Sequence, residues 1–256
     1  MSASVRTDVG CVRESNQDAA QFVRPKLPDL VSRRGALAIV ADGMGGHAGG
    51  QRASRIAVDT VVGRYYDDDE RPPAVALERA VLLANRAIHE EAQAEADLQG
   101  MGTTITALAI IGGKGYVAHV GDSRLYRLRN ERIEQITVDH TLVQELVEQG
   151  TITAAEAATH DDRNVLSRAL GTQPKVEVTM SEIDVRAGDR FMICSDGLYD
   201  LVPKIEIGQV LALPALPLVA DALVALARMR GGHDNITVAA LQAQEFVNTD
   251  RPTRGV

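Results

Sequence analysis

Apolar residues follow two different periods along this chain, and the periods change in blocks. Gly35–Ala41 is a continuous apolar run ending in Asp42-Gly43, which is typical of a strand buried on both faces that enters a turn. Ala48–Tyr66 and Pro73–Leu98 instead place apolar residues at helical spacing, and an acidic break with two prolines separates them. This first block predicts a buried strand followed by a pair of helices.

The middle of the chain alternates apolar and polar residues in short runs separated by turn residues. These runs predict strands over Thr103–Ile111, Tyr116–Val120, Arg124–Leu128 and Arg132–Ile136. The short Gly- and Asn-containing connections between them are typical of antiparallel hairpins.

The rest of the chain mixes both periods. Thr141–Gln149 predicts a short helix, and Thr153 with Glu156 forms the capping box of another. The remaining predicted elements are strands over Val176–Ile183 and Arg190–Cys194, a helix over Leu218–Met229 and a strand over Ile236–Leu241. Since strands come in hairpins and helices in pairs, we expect an α+β fold with sheet packed under helices. We expect a single domain over 1–246 and a polar tail over 247–256.

Composition narrows the functional classes. The 256 residues are 45% hydrophobic, enough for the core of one large domain. A net charge of −8 with only 3% aromatic residues argues against nucleic-acid binding. Cys11 and Cys194 are too few for a disulfide framework and suit a reducing compartment. The N-terminus lacks an apolar leader, and prolines interrupt the apolar stretch Val210–Ala227, so we expect a cytoplasmic protein without a membrane span.

Aspartates stand at four predicted strand boundaries. Asp42, Asp122 and Asp196 follow strands, each beside a glycine, and Asp234 precedes the last strand. A single Asp-Gly after a strand is most often only a turn. Several carboxylates converging on one sheet edge would repel each other unless cations lay between them, and oxygen ligands favour Mg²⁺ or Mn²⁺ over zinc. The pattern therefore predicts a divalent-cation site.

Six short motifs strengthen this interpretation. They are Arg13–Asp18, Ala41–His47, Met101–Thr104, Gly121–Arg124, Ser195–Asp200 and Asp234–Thr237. In this order they resemble the motifs of the PP2C-type (PPM family) metal-dependent protein Ser/Thr phosphatases in their compact bacterial form. The resemblance implies a four-layer α/β/β/α sandwich of two mainly antiparallel sheets flanked by helix pairs.

The resemblance also implies a centre of two Mn²⁺ or Mg²⁺ ions at one end of the sandwich. Asp42 is then expected to bridge the ions and the carbonyl of Gly43 to bind one of them. Asp196 and Asp234 are expected to bind the other, and Asp18 to act through bound water. A hydroxide between the two ions would attack phosphorus directly, because paired cations lower the pKa of water toward neutrality.

Further roles follow from the same resemblance. Arg13 is expected to hold the substrate phosphate with its guanidinium fork. A third, weaker metal ion would fall to Asp122 and Asp200. Met44 occupies the place of a histidine proposed as general acid in other members, and His47 is the alternative general acid here. The alternative that His47 is a histidine at the start of a helix without a chemical role stays open.

The expected substrates are phosphorylated proteins, and the expected partner is a bacterial Ser/Thr kinase that a monomeric phosphatase opposes. The segment His140–Lys175 corresponds to the flap of bacterial members, which is associated with substrate choice; an ordinary helical connection is the alternative. A dinucleotide-binding pattern over Gly43–Ala48 fails because a second helix, not a parallel strand, follows the first. A non-catalytic phosphoprotein-binding scaffold on the same fold is the alternative function.

Overall fold

The computed structural model describes residues 1–45 and 48–245. Within these residues the main strands form two antiparallel sheets. The first sheet has the order β1-β11-β10-β7-β8, with β1 Ser2–Asp8, β7 Arg124–Arg129, β8 Arg132–Gln135, β10 Arg190–Cys194 and β11 Ile236–Gln242. The second has the order β2-β3-β5-β6-β9, with β2 Asp18–Val23, β3 Ala36–Met44, β5 Ile105–Ile111, β6 Lys114–Val120 and β9 Thr179–Asp184; β4, Gly102–Thr103, pairs with the end of β3.

Helices cover the outer face of each sheet. The second sheet carries α1 Pro28–Arg34, α2 Gly49–Asp67 and α3 Pro73–Ala94, and a 3₁₀ turn over Ala96–Leu98 follows. The connection between β8 and β9 contains α4 Leu142–Glu148 and α5 Ala154–Ala157. The first sheet carries α6 Asp196–Tyr199, α7 Lys204–Leu211 and α8 Leu216–Met229. No helix in the described ranges is both long enough and apolar enough to cross a membrane.

Strand β3 shows why its sequence is apolar without interruption. Leu37 and Ile39 pack against α2 and α3, whereas Ala38 and Val40 pack against the opposite sheet. Successive side chains of a strand point to opposite faces, so a strand covered on both sides is apolar at every position. Helix, sheet, sheet and helix therefore form four layers, which confirms the predicted α/β/β/α sandwich.

Several boundaries differ from the sequence prediction. Strand β3 continues beyond Ala41 to Met44, because Gly43 and Met44 pair with β4. Strands β1 and β2 were not predicted, although Ala3 and Val5 alternate with polar residues in the pattern of a half-buried strand. Helix α7 was also missed, and the apolar stretch Val210–Ala227 begins inside it. The capping box at the start of α5 is confirmed.

The strand directions bring particular strand ends to one end of the sandwich. In the second sheet, Asp18 at the start of β2 lies opposite Asp42 near the end of β3. Strand β6 is antiparallel to β5, which is antiparallel to β3, so β6 also ends at this edge. In the first sheet, Cys194 at the end of β10 lies beside the start of β11. Loops from both sheets thus converge.

Candidate metal centre

The aspartates predicted from the sequence converge at this end of the sandwich. Asp122 follows β6, Asp196 begins α6 directly after β10, and Asp234 precedes β11. Together with Asp18, all three raise the pKa of Asp42 through charge repulsion, in addition to the larger effect of burial. Both sheets therefore supply carboxylates to a single site.

Within the described ranges, Asp18 has one hydrogen-bonded and one unpartnered carboxylate oxygen. Its Oδ2 accepts a 2.8 Å hydrogen bond from the hydroxyl of Ser195. Its Oδ1 is buried and has no hydrogen-bond partner in the described residues. Burial raises the pKa of Asp18 to about 6, against the opposing effect of its hydrogen bonds. A buried, unpartnered carboxylate oxygen fits a position that a cation or its bound water would satisfy.

The backbone of Asp42 is held on both sides by threonine hydroxyls. Its N–H donates to Oγ1 of Thr104 at 2.9 Å, and its carbonyl accepts from Oγ1 of Thr103 at 2.8 Å. These bonds satisfy the main chain where β3 passes from β5 to β4. These backbone contacts help to position the Asp42 side chain at the end of the strand.

Gly43 is required by a close approach of the chain to helix α2. A Cβ at this position would lie 2.1 Å from the carbonyl oxygen of Gly50 and 2.5 Å from that of Gln17. The start of α2 therefore packs directly on the backbone next to Asp42. Glycine therefore permits this close packing of α2. The metal-binding group predicted at Gly43 is its backbone carbonyl, which needs no side chain.

A second glycine makes a similar contact on the other sheet. A Cβ on Gly197 would lie 2.1 Å from the carbonyl oxygen of Asn235. This contact brings the first turn of α6, which contains Asp196, against the segment that contains Asp234. Burial raises the pKa of Asp196 well above its usual range, and repulsion by Asp122 and Asp234 adds to this effect.

Asp200 lines a cavity with residues of α4 and α5, and Asp122 lies close enough to Asp200 for charge repulsion. Burial raises the pKa of Asp122 to about 7, and the charge of Asp139 adds to this effect. Burial also raises the pKa of Asp200. Arg124 pairs with Asp139 at 2.7 Å and places its guanidinium carbon 3.6 Å from the ring centre of Tyr199. This stack fixes the end of α6 beside Asp200.

Arg13 lies at the rim of the site. Its Nη2 donates a 2.7 Å hydrogen bond to Oδ2 of Asp234, and its side chain is 54% exposed. The guanidinium thus reaches the carboxylates while remaining open to a ligand from solution. This position is compatible with the predicted phosphate contact. The predicted general acid, His47, lies outside the described residues.

A cavity of about 420 Å³ lies between the predicted flap and the carboxylates. Its lining includes the polar residues Asp200, Arg163 and His233 and the apolar residues Val143 and Ala157. Residues of the predicted flap segment therefore line this cavity together with Asp200. The part of the flap in substrate choice stays a prediction.

The donor set fits hydrated divalent cations. In residues 1–45 and 48–245, no group of three His, Cys, Asp or Glu side chains is arranged to hold a metal ion by itself. Mg²⁺ keeps several water ligands and needs only one or two carboxylates, so a closed cage is not required. Burial, with mutual repulsion of the carboxylates, raises their pKa values, and divalent cations would supply compensating positive charge.

Sequence reasoning missed three polar residues that organise the site. They are Thr104, which holds Asp42, Ser195, which holds Asp18, and Asn235, which holds the segment before β2. Each of them stands inside one of the six motifs. Their proximity to the aspartates was the available signal, but their partners lie far away along the chain.

Comparison with known proteins agrees with this site. The Protein phosphatase 2C family profile matches residues 12–230. The serine/threonine protein phosphatase PstP of Mycobacterium tuberculosis is 40% identical over 245 residues, which cover 95% of this chain and 45% of PstP. The serine/threonine phosphatase stp of Listeria innocua is 36% identical over 247 residues, which cover 94% of this chain and 96% of stp.

A solved structure extends the comparison to the metal ions. The catalytic domain of PstP in complex with two manganese ions superimposes with a TM-score of 0.83 and 38% identity, covering 95% of this chain and 98% of that domain. The chain spans less than half the length of the complete PstP.

Proposed function

Because this chain belongs to the protein phosphatase 2C family, we propose that it is a metal-dependent phosphatase acting on phosphoserine and phosphothreonine in proteins. The observation that carries this proposal is the convergence of buried aspartates from both sheets, with raised pKa values, beside an open arginine. A phosphate group, two divalent cations and an arginine have complementary charges. The names of the relatives support phosphoproteins as substrates.

The candidate metal-binding groups come from both sheets. Asp18, Asp42, Asp196 and Asp234, with the carbonyl of Gly43, are the groups that would hold two ions. Bound Mn²⁺ or Mg²⁺ acidifies water to a nucleophile at neutral pH and offsets phosphate charge.

The protein's own contribution at the rim is Arg13. Its planar guanidinium can offer two parallel hydrogen bonds to phosphate oxygens and so orient the phosphorus above the carboxylates. Its present partner, Asp234, keeps the guanidinium close to this position. Arg13 also offsets the charge that spreads over the equatorial oxygens during phosphoryl transfer.

The finer parts of the proposal concern metals and partners. Asp122 and Asp200 hold a third ion, and either Mg²⁺ or Mn²⁺ serves in the two principal positions. The enzyme is a cytoplasmic monomer that opposes a Ser/Thr kinase. Its cysteines support a reducing location, since Cys11 is exposed and Cys194 is buried without a partner thiol.

Hydrolysis of a phosphothreonine peptide by the purified protein tests the proposal. Activity should appear with Mn²⁺ or Mg²⁺, disappear with EDTA, and be absent from Asp42→Ala. The matched control is Asp221→Ala. It removes an exposed carboxylate of α8 that pairs with Arg6, and the variant should retain full activity. A folded protein that is inactive with both Mn²⁺ and Mg²⁺ would refute catalysis and favour the phosphoprotein-binding alternative.

A further inference from the structure

The segment between β1 and β2 carries Arg13 but has little regular structure. It runs from Val9 to Gln17, and no helix or strand lies within it. Arg13 itself is half-exposed, so packing does not immobilise its side chain. A flexible arginine would lose conformational entropy on binding phosphate, and the affinity would fall accordingly. Something must therefore hold this segment in place.

Asn235 is attached to this segment by every polar atom of its side chain. Its Nδ2 donates to the carbonyl of Val9 at 3.0 Å and to the carbonyl of Ser15 at 3.0 Å. Its Oδ1 accepts from the backbone N–H of Gln17 at 2.8 Å. Asn235 is only 5% exposed, so these hydrogen bonds are made away from water.

The three contacts bracket Arg13 along the chain. Val9 precedes it, and Ser15 and Gln17 follow it, so a single buried amide closes the segment into a loop. Cys11 adds one backbone hydrogen bond to the carbonyl of Gly232 at 2.7 Å. Asn235 also adjoins Asp234, the partner of Arg13. Asn235 thus contacts the loop on both sides of Arg13 and adjoins the partner of its arginine, while Asn16 and Gln17 make further hydrogen bonds to Thr7 and Ser54.

We infer that Asn235 is the positioning residue of Arg13 and sets how well the enzyme binds the phosphate of its substrate. The inference rests on the proposed function, because it needs Arg13 to contact phosphate. Asn235 does not touch the substrate itself. Its effect should therefore pass through Arg13 and leave the metal ions unaffected.

Two variants remove the contacts in different ways. Asn235→Ala deletes all three hydrogen bonds. Asn235→Asp keeps an oxygen for the N–H of Gln17 but places a second oxygen against the carbonyls of Val9 and Ser15. The matched control is Ser15→Ala, because the loop keeps the backbone carbonyl that Asn235 binds.

We expect the KM for a phosphothreonine peptide to rise about tenfold in both Asn235 variants, with a smaller change in kcat, and to stay unchanged in Ser15→Ala. The Mn²⁺ concentration for half-maximal activity should not change. A shift of the Mn²⁺ requirement without a rise in KM would show that Asn235 acts through Asp234, and would overturn the inference.

A double-mutant cycle identifies the route of the effect. If Asn235 works through Arg13, Asn235→Ala should cause no further rise in KM when Arg13 is already alanine. An equal rise in both backgrounds would contradict the inference.

Amide hydrogen exchange supplies a readout that does not depend on activity. In Asn235→Ala the amides of residues 9–17 should exchange faster, while those of β11 stay protected. If wild-type protein is inactive with both Mn²⁺ and Mg²⁺, the proposed function fails, whatever the exchange shows. If wild type is active but loop exchange is unchanged in Asn235→Ala, only the positioning role fails.

Discussion

The hydroxyl of Ser195 donates a 2.8 Å hydrogen bond to Oδ2 of Asp18 and so connects the two sheets at the carboxylate site. Ser195 follows β10 of the first sheet, and Asp18 begins β2 of the second. The same hydroxyl oxygen accepts the backbone N–H of Thr237 at 3.0 Å, so β11 takes part in the junction. The position of a predicted metal ligand thus depends on contacts between layers.

Loss of this hydroxyl should weaken metal binding. A hydrogen bond to a carboxylate stabilises its charged form, so Ser195→Ala should raise the pKa of Asp18 above its value of about 6. We expect the Mn²⁺ concentration for half-maximal activity to rise about tenfold near neutral pH. The difference in Mn²⁺ requirement between variant and wild type should become smaller at higher pH, where Asp18 is ionised in both proteins. A difference in Mn²⁺ requirement that is independent of pH would contradict this explanation.

Removal of a single charge should separate stability from activity. Asp42→Asn keeps the size of the side chain and the backbone bonds to Thr103 and Thr104. It should abolish phosphatase activity and, without metal, increase the free energy of unfolding by about 1–3 kcal/mol, because a buried carboxylate facing like charges is removed. Urea unfolding in EDTA measures the gain. A metal-free variant less stable than wild type would show that repulsion is not the dominant effect.

Two glycines near the same helix should respond in opposite directions. A Cβ at Gly43 would meet the carbonyl oxygen of Gly50 at 2.1 Å, so Gly43→Ala should displace α2 and cost about 3 kcal/mol or more, with loss of activity. Gly63 lies within α2 with nothing within 4 Å of its added Cβ, and Gly63→Ala should stabilise by about 0.5–1 kcal/mol. Thermal unfolding of both variants checks the pair; similar losses would refute the close approach.

The metal-free protein should lose stability as pH rises from about 4 to about 7. Burial raises the pKa of Asp18 to about 6 and that of Asp122 to about 7. The unfolded chain releases these protons near its ordinary carboxyl pKa of about 4, whereas the folded chain holds them longer. Each proton held in excess lowers the free energy of unfolding by up to about 1.4 kcal/mol per pH unit. The contribution is complete at acid pH and is lost as pH rises through the folded values.

Buried histidines oppose this trend only at lower pH. Burial lowers the pKa of His119 to about 3 and also lowers that of His140, so their contribution to stability grows with pH. It is complete above the ordinary histidine pKa of about 6.5. Unfolding in EDTA between about pH 6.5 and 8 therefore avoids most of the histidine contribution, and comparison of Asp122→Asn with wild type cancels that of the N-terminal amine, whose pKa burial lowers. Asp122→Asn should have a flatter profile there, and an unchanged profile would contradict the raised pKa of Asp122.

The sequence pattern by itself determined an α+β fold with sheet packed under helices and the identity of the acidic residues, and the resemblance of its motifs to a family implied the four layers. Uninterrupted apolar residues in β3 indicated burial on both faces, and the hairpin spacing indicated antiparallel sheets; both follow from the local period of side chains. The aspartates beside glycines at strand ends indicated a hard-cation site, because those residue types limit the chemistry.

The tertiary structure decided which distant segments complete that site. Strands β1 and β2 are edge strands with mixed polarity, so their pairing with β11 and β3 defines them more than their composition does. Ser195 and Asn235 owe their roles to partners 177 and 218 residues away along the chain. Hydrogen bonds of this kind leave no periodic signal, because they depend on how two sheets stack and which loops meet at their ends.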